Sequence, residues 1–164
     1  MNTLCITGHR PSGLPWGYRK DGAEYRQYKW QLWERLSAYV AAGFTHFITG
    51  MALGVDMDFA EAVFAMRERT GAPLTLECAL PCPDQTARWY ADSIARYRDI
   101  LGRADKVTML SDHYYAGCMH ARNEYMVDRS DAVLAVWNGK EEGGTYATMR
   151  YARRRGKTLD ILRV

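Results

Sequence analysis

The sequence predicts a doubly wound α/β fold, with a mostly parallel sheet and helices on both faces. Short apolar runs alternate with longer stretches of helical periodicity, as in successive βαβ units. The runs are nearly continuous in apolar residues, which is typical of parallel strands buried on both faces. Several runs also end in a glycine turn that leads into a helix. Right-handed crossovers between such strands place helices on both faces of the sheet.

The expected strands lie near residues 3–7, 45–49, 73–79, 106–110, 131–137 and 158–162. The helices between them are predicted from apolar residues at spacings of three and four, which form one stripe against the sheet. The first stripe consists of Tyr25, Tyr28, Leu32, Leu36 and Tyr39. The next two consist of Val55, Phe59, Val63 and Met66, and of Tyr90, Ile94, Tyr97 and Leu101. Glycines at 43, 71 and 102 end these three helices. Residues 122–129 and 145–155 are predicted to form two further helices, which gives five in all.

Composition bounds the class of protein. The 164 residues suit one domain, residues 1–164, that buries a core without metal or disulfide staples. Because the four cysteines form no CxxC pair and no secretory or membrane-spanning run is present, we expect a reduced, cytoplasmic protein without a membrane partner. Lysine plus arginine total 22 against 19 acidic residues, and the basic cluster at 150–157 is too weak alone to argue for nucleic acid.

The sequence predicts no metal site. The histidines at 9, 46, 113 and 120 show no ligand spacing, and Cys78 and Cys82 lack a nearby histidine. No residue pairs His9 with a nucleophile, so His9 is more readily a hydrogen-bonded structural residue than a base. We expect no cofactor, and we expect the chain to associate with further copies of itself.

Two glycine turns are candidate ligand sites. Gly8-His9-Arg10 follows the first strand, where a glycine lets backbone amides approach a phosphate and an arginine can donate to its oxygens. The second turn, after the second strand, is Gly50-Met51-Ala52-Leu53-Gly54-Val55-Asp56. Its small residues permit a tight turn that presents helix amides to an anion. Asp56 in the first helical turn is either a ligand contact or a partner of the helix dipole.

Two later segments share this placement. Arg122 and Asn123 lie near the start of a helix, where the guanidinium can hold phosphate or carboxylate, or can form an ion pair with Glu124, Asp128 or Asp131. The segment Gly143-Gly144-Thr145 follows the most apolar strand and opens the last helix. Because a strand precedes this segment and a helix follows it, an anion site is favoured over a plain turn.

The segment from Gly8 to Gly22 lacks regular periodicity, and such a long loop in a compact domain is more often functional than passive. It contains Trp16 and Tyr18, and we expect one or the other to pack on a base or ribose when the loop closes over a ligand.

Taken together, four segments resemble the SLOG superfamily, and most closely its YpsA-like members. They are Thr7-Gly8-His9-Arg10-Pro11, Gly50 to Asp56, Arg122-Asn123-Glu124-Tyr125-Met126-Val127-Asp128, and Gly143-Gly144-Thr145. Gly50 to Asp56 also resembles the glycine loop of DNA-processing protein A, and Met119 to Met126 resembles the arginine motif of Lonely Guy phosphoribohydrolases. The resemblance implies a Rossmann-like domain whose strand ends bind a nucleotide or a nucleotide-derived ligand, in some members as an enzyme and in others as a sensor.

The departures from the resemblance bear on activity. Lonely Guy enzymes have a PGGxGTxxE motif, and aligning its GT on Gly144-Thr145 puts Thr148 where the catalytic glutamate belongs. Glu141 and Glu142 then stand where two glycines belong. A threonine does not stabilise an oxocarbenium-like transition state as a carboxylate does. Glu142 remains the candidate catalytic residue if the protein is an enzyme.

The leading hypothesis is therefore a protein that binds an ADP-ribose-like nucleotide as a sensor or sequestering agent, without efficient catalysis. An alternative is an N-glycosidase acting on nucleoside phosphates, which needs Glu141, Glu142 or Asp56 near the sugar. A further alternative is a single-stranded nucleic-acid module, for which Arg150, Arg153, Arg154, Arg155 and Lys157 would be the contacts.

Overall fold

The computed structural model describes residues 2–164, and its centre is a six-stranded sheet in which every strand is parallel to its neighbours. The strands are β1 (Asn2–Gly8), β2 (Phe44–Thr49), β3 (Thr75–Leu80), β4 (Lys106–Met109), β5 (Ala132–Trp137) and β6 (Thr158–Arg163). Their spatial order is β4-β3-β2-β1-β5-β6. This confirms the predicted α/β fold, Rossmann-like and doubly wound.

Each pair of consecutive strands is joined by a helix. The helices are α1 (Ala23–Ala41), α2 (Val55–Thr70), α3 (Ala91–Arg103), α4 (Cys118–Asp128) and α5 (Gly143–Arg154). The helix predicted from residue 122 begins earlier, at Cys118, because Gly117 adopts a left-handed conformation (φ 93°) and turns the chain into it. The segment after β1 forms only a short 3-10 turn at Pro11–Gly13 before α1.

The strand order places a switch point between β1 and β5. From β1 the chain moves outward to β4, and α4 then returns it to the other side of β1. Right-handed crossovers in opposite directions put α1, α2 and α3 on one face and α4 and α5 on the other. The loops after β1 and β5 diverge to opposite faces, which leaves a crevice at the carboxyl ends of these strands.

The predicted apolar stripes form much of the core. On α1, Tyr28, Leu32 and Leu36 are buried, and all four residues of the α2 stripe are buried. On α3 the prediction is wrong for Tyr90, which is 70% exposed. Tyr90 precedes the first helical residue, so it does not share the helical periodicity, and Tyr97 and Ile100 are the buried residues of this helix.

The face covered by α4 contains a buried carboxylate. Glu77 of β3 accepts hydrogen bonds from Tyr125 Oη (2.6 Å) and Thr108 Oγ1 (2.9 Å), and His46 Nε2 lies 3.1 Å from it. Burial alone raises the pKa of Glu77, but the hydrogen bonds from His46, Tyr125 and Thr108 outweigh burial and lower the pKa to about 2. The ionised carboxylate therefore stabilises the contact between β3, β4 and α4.

The substitution Glu77→Gln should reduce the free energy of unfolding at pH 7 by about 2 kcal/mol, because the folded state holds this carboxylate ionised. The pKa of Glu77 falls from an ordinary value of 4.5 to about 2, so its contribution is complete above pH 4.5 and disappears as the pH falls toward 2. Denaturant unfolding at several pH values measures this, with the exposed Glu34→Gln as control. A difference between wild type and Glu77→Gln that stays constant down to pH 2 would contradict this account.

Candidate ligand site at the strand ends

A pocket of about 240 Å³, here called the strand-end pocket, opens at the switch point between β1 and β5. The end of β1 and the following loop contribute Thr7, Gly8, His9 and Arg10 to its lining. The starts of α2 and α5, and one face of α4, contribute Ala52, Asp56, Gly144, Thr145, Met119, Arg122 and Asn123. The pocket therefore brings together residues from all four predicted segments.

Arg122 is the buried cation of this pocket, with only 4% of its surface exposed. Its Nη1 group donates to the carbonyl oxygen of Gly50, and its Nε group donates to Asn123 Oδ1 at 2.9 Å. Burial lowers the pKa of Arg122, and the nearby carboxylate of Asp56 opposes this change. Among residues 2–164 no hydrogen-bond partner holds Nη2, which is not fully enclosed by protein. This amino group is therefore available to a ligand.

Within residues 2–164, Arg122 forms none of the ion pairs considered from the sequence. Asp128 binds Arg155 and Tyr151, and Asp131 accepts the backbone N–H of Thr3. Gly50 explains how the guanidinium reaches its position, because a Cβ atom there would lie 2.7 Å from Arg122 Cζ. The glycine is thus needed for close approach of the arginine to the β2–α2 turn.

Asp56 lies in the first turn of α2, at the positive end of the helix dipole, and it also lines the pocket. Its Oδ2 accepts the backbone N–H of Ala52 at 3.2 Å, and its carbonyl oxygen accepts the hydroxyl of Thr49. Burial raises the pKa of Asp56 to about 6, against the opposing effect of Arg122. Asp56 therefore changes charge close to neutral pH, inside the pocket.

His9 joins the loops on either side of the crevice. Its Nε2 atom accepts the backbone N–H of Asn138 at 3.0 Å, and the Asn138 side chain donates to the carbonyl oxygen of Gly13. Burial, with a smaller effect of Lys140, lowers the pKa of His9, so the neutral ring with its proton on Nδ1 is favoured. The carbonyl oxygen of His9 accepts the N–H of Val55, and Gly54 (φ 92°) permits this close contact.

Several predicted residues lie beside the pocket and not in its lining. Gly50, Met51 and Gly54 shape the turn behind it, and Met51 is fully buried. Gly143 and the exposed Glu142 line an adjoining open groove that also contains His9. Lys140 lies in this groove too, and sequence reasoning missed it because a lone lysine after a strand has no motif.

Two further sets of residues lie elsewhere. Trp16 and Tyr18 line a second pocket, of about 290 Å³, on the α1–α3 side of the sheet. Thr148 donates its hydroxyl to the carbonyl oxygen of Gly144 at 2.8 Å, within α5.

Within residues 2–164 no three His, Cys, Asp or Glu side chains converge to form a metal site, and no helix is both long and apolar enough to cross a membrane.

The fold and this pocket define the class: a Rossmann-like α/β protein with a polar pocket at the switch point of its sheet. The profile of the YpsA family, described as the YspA SLOG family, matches residues 4–163, and the chain belongs to this family. The resemblance to YpsA-like proteins is thereby confirmed. A UPF0398 protein of Bacillus thuringiensis (strain Al Hakam) is 27% identical over 159 residues, which cover 96% of this chain and 85% of that protein. UPF0398 proteins of Bacillus cereus strains Q1 and 03BB102 match with the same identity and coverage.

The substitution Gly50→Ala should displace the Arg122 guanidinium, because the new methyl carbon would lie 2.7 Å from Cζ. Because the guanidinium lies at the end of a flexible side chain and can move aside, we expect the free energy of unfolding to fall by only about 1 kcal/mol. A crystal structure of the variant and thermal unfolding measure the two effects. Gly102→Ala is the control for the contact, because a Cβ atom there meets no atom within 4 Å; since Gly102 lies within α3, this variant should be more stable than wild type by up to about 1 kcal/mol. An unmoved Arg122 in Gly50→Ala would refute the close-approach argument.

Proposed function

We propose that the protein binds a nucleotide or a nucleotide-derived ligand of the ADP-ribose type at the strand-end pocket, as a sensor or sequestering protein without efficient catalysis. The observation that carries the proposal is the buried Arg122, which lines the pocket and whose Nη2 group has no hydrogen-bond partner among residues 2–164. A buried guanidinium with free donors is costly unless an anion completes its contacts.

The surroundings of Arg122 support a phosphate as that anion. Gly144 and Thr145 are at the start of α5, whose first N–H groups have no partner within the helix. Arg10 adds a second positive charge to the lining. Two arginines and a helix N-terminus around one pocket attract a multiply charged oxyanion more than a neutral sugar.

Binding without efficient turnover is supported by the environment of the last helix. In the resemblance to Lonely Guy enzymes Thr148 aligns with the catalytic glutamate, and its hydroxyl donates to a carbonyl oxygen of its own helix. Amides and arginines are sufficient to hold a charged ligand, whereas cleavage of a glycosidic bond needs groups that act more strongly on the transition state. The family membership is compatible with both binding and processing of nucleotides.

The substitution Arg122→Ala should weaken the binding of ADP-ribose roughly tenfold to a hundredfold, since a charge-assisted hydrogen bond contributes about 1.5 to 3 kcal/mol. Isothermal titration calorimetry measures the affinity, and circular dichroism checks the fold. The exposed Arg153→Ala, on the same protein but outside the pocket, should leave affinity unchanged. Equal affinity of wild type and a folded Arg122→Ala variant would remove Arg122 from the ligand site.

Binding of ADP-ribose should strengthen as the pH falls through about 6, because protonation of Asp56 removes a negative charge from the pocket. We expect a gain of about threefold to tenfold in affinity. ADP-ribose is the suitable probe because it lacks a terminal phosphate that would titrate in the same range. His9 also lines the pocket, and its pKa is lowered from the ordinary value of 6.5 by burial, so its protonation can also contribute as the pH falls.

The variant Asp56→Asn separates these two contributions. It keeps an oxygen for the N–H of Ala52 but has no charge, so it should bind more tightly than wild type at neutral pH. Its remaining pH dependence is that of His9 alone. If Asp56→Asn and wild type show the same pH dependence, Asp56 does not act on the bound ligand.

A second candidate function is N-glycosidase activity, and the observation that favours it is Asp56 itself. A carboxyl group with a pKa raised to about 6, beside an arginine in a pocket, is suited to act as a general acid or base. Glu142, in the adjoining groove, is the other candidate carboxylate.

Incubation with nucleoside monophosphates and with ADP-ribose, followed by chromatography, should show ligand retention and negligible release of free base. Release at about one turnover per second would be in the ordinary range of enzymes and would overturn the binding-only proposal. In that case Asp56→Asn and Glu142→Gln identify the responsible carboxylate, because only loss of the true catalytic group abolishes release.

A further inference from the structure

We propose that the second pocket, here called the aromatic pocket, binds the base of the same nucleotide whose phosphate occupies the strand-end pocket. This inference rests on the proposed function. The aromatic pocket has a volume of about 290 Å³ and is lined by Trp16, Tyr18, Tyr25, Asp58, Ser93 and Arg96, among others. It would make the ligand site bipartite, with an ionic part and an aromatic part.

The two pockets share one wall. Arg10 lines the strand-end pocket, and the next residue, Pro11, lines the aromatic pocket. Likewise, Ala52 lines the strand-end pocket and its neighbour Leu53 lines the aromatic pocket. The wall is formed where the N–H of Val55 meets the carbonyl oxygen of His9. Gly54 in this wall allows the two turns to pack closely, because a Cβ atom there would lie 2.6 Å from the carbonyl oxygen of His9. A ligand that crosses it can reach both pockets from the carboxyl edge of the sheet.

The lining of the aromatic pocket suits a flat ring. Trp16 stacks on Tyr28 with ring centroids 4.7 Å apart, and Tyr25 packs edge-on against Trp16 at 5.9 Å. Next to these rings, Tyr18 is 56% exposed and contacts the more exposed Tyr90. Exposed aromatic rings beside a pocket gain contact area when a base stacks on them.

The polar groups of the pocket favour a base over a second phosphate. Arg96 is already bound to Asp58 at 2.7 Å and to Glu61, so its charge is matched. Asp58 is buried; Tyr28 Oη donates to its Oδ2 at 2.9 Å, whereas Tyr25 Oη lies 3.5 Å from its Oδ1. That second distance is long for a hydroxyl donor. Oδ1 already accepts Arg96 Nη2 at 2.7 Å, and the long contact with Tyr25 leaves its second lone pair for the amino group of a base such as adenine.

The test uses one probe with a base, ADP-ribose, and one without, ribose 5-phosphate. Ser93→Trp places a large side chain in the aromatic pocket, and Ala95→Trp places the same side chain on the exposed surface of α3 as a matched control. We expect Ser93→Trp to weaken ADP-ribose about tenfold and to leave ribose 5-phosphate unchanged, as measured by calorimetry. Ala95→Trp should change neither affinity.

A second variant, Tyr18→Ala, alters an exposed loop residue and should weaken ADP-ribose alone even if Ser93→Trp does not fold. Arg122→Ala, in contrast, should weaken both probes. If both probes bind wild type and neither Ser93→Trp nor Tyr18→Ala changes the affinity for ADP-ribose, the aromatic pocket is not the base site and the proposed function stands. If neither probe binds wild type, the proposed function fails and this inference fails with it.

Discussion

The burial of the Arg122 guanidinium is the interaction on which the site depends. Taking this charge out of water costs free energy, and the carbonyl oxygen of Gly50, the amide of Asn123 and the carboxylate of Asp56 offset that cost. These partners come from the β2–α2 turn and from α4, which lie on different faces of the sheet. The arginine therefore fixes two elements whose relative position determines the width of the pocket.

The strand order determines which loops can meet around this arginine. Since β1 lies between β2 and β5, the turns after all three strands reach the same edge at adjacent positions. The contacts of His9 with Asn138 and with Val55 hold these turns together. The basic end of α5, near residues 153–157, lies at the opposite edge, because a helix that starts at one edge of the sheet ends at the other. The polar pocket and the basic cluster are thus separate surfaces.

Charge and apolar surface are distributed differently between the two pockets. The strand-end pocket contains ionic groups whose balance changes near pH 6 through Asp56, whereas in the aromatic pocket Arg96 is already bound to the carboxylates of Asp58 and Glu61. A ligand with one anionic end and one aromatic end matches this division.

The sequence by itself determined the parallel α/β fold, the helix stripes and the family, because periodicity and glycine turns are local properties of the chain. It also identified Arg122, Asp56 and the turns at the strand ends. Only the tertiary structure decided how these residues meet: that Gly50 makes room for Arg122, that His9 ties two loops, and that Trp16 packs on Tyr28 in a separate pocket. Those contacts join residues far apart in the chain, and their geometry depends on strand order and desolvation, which no local pattern records.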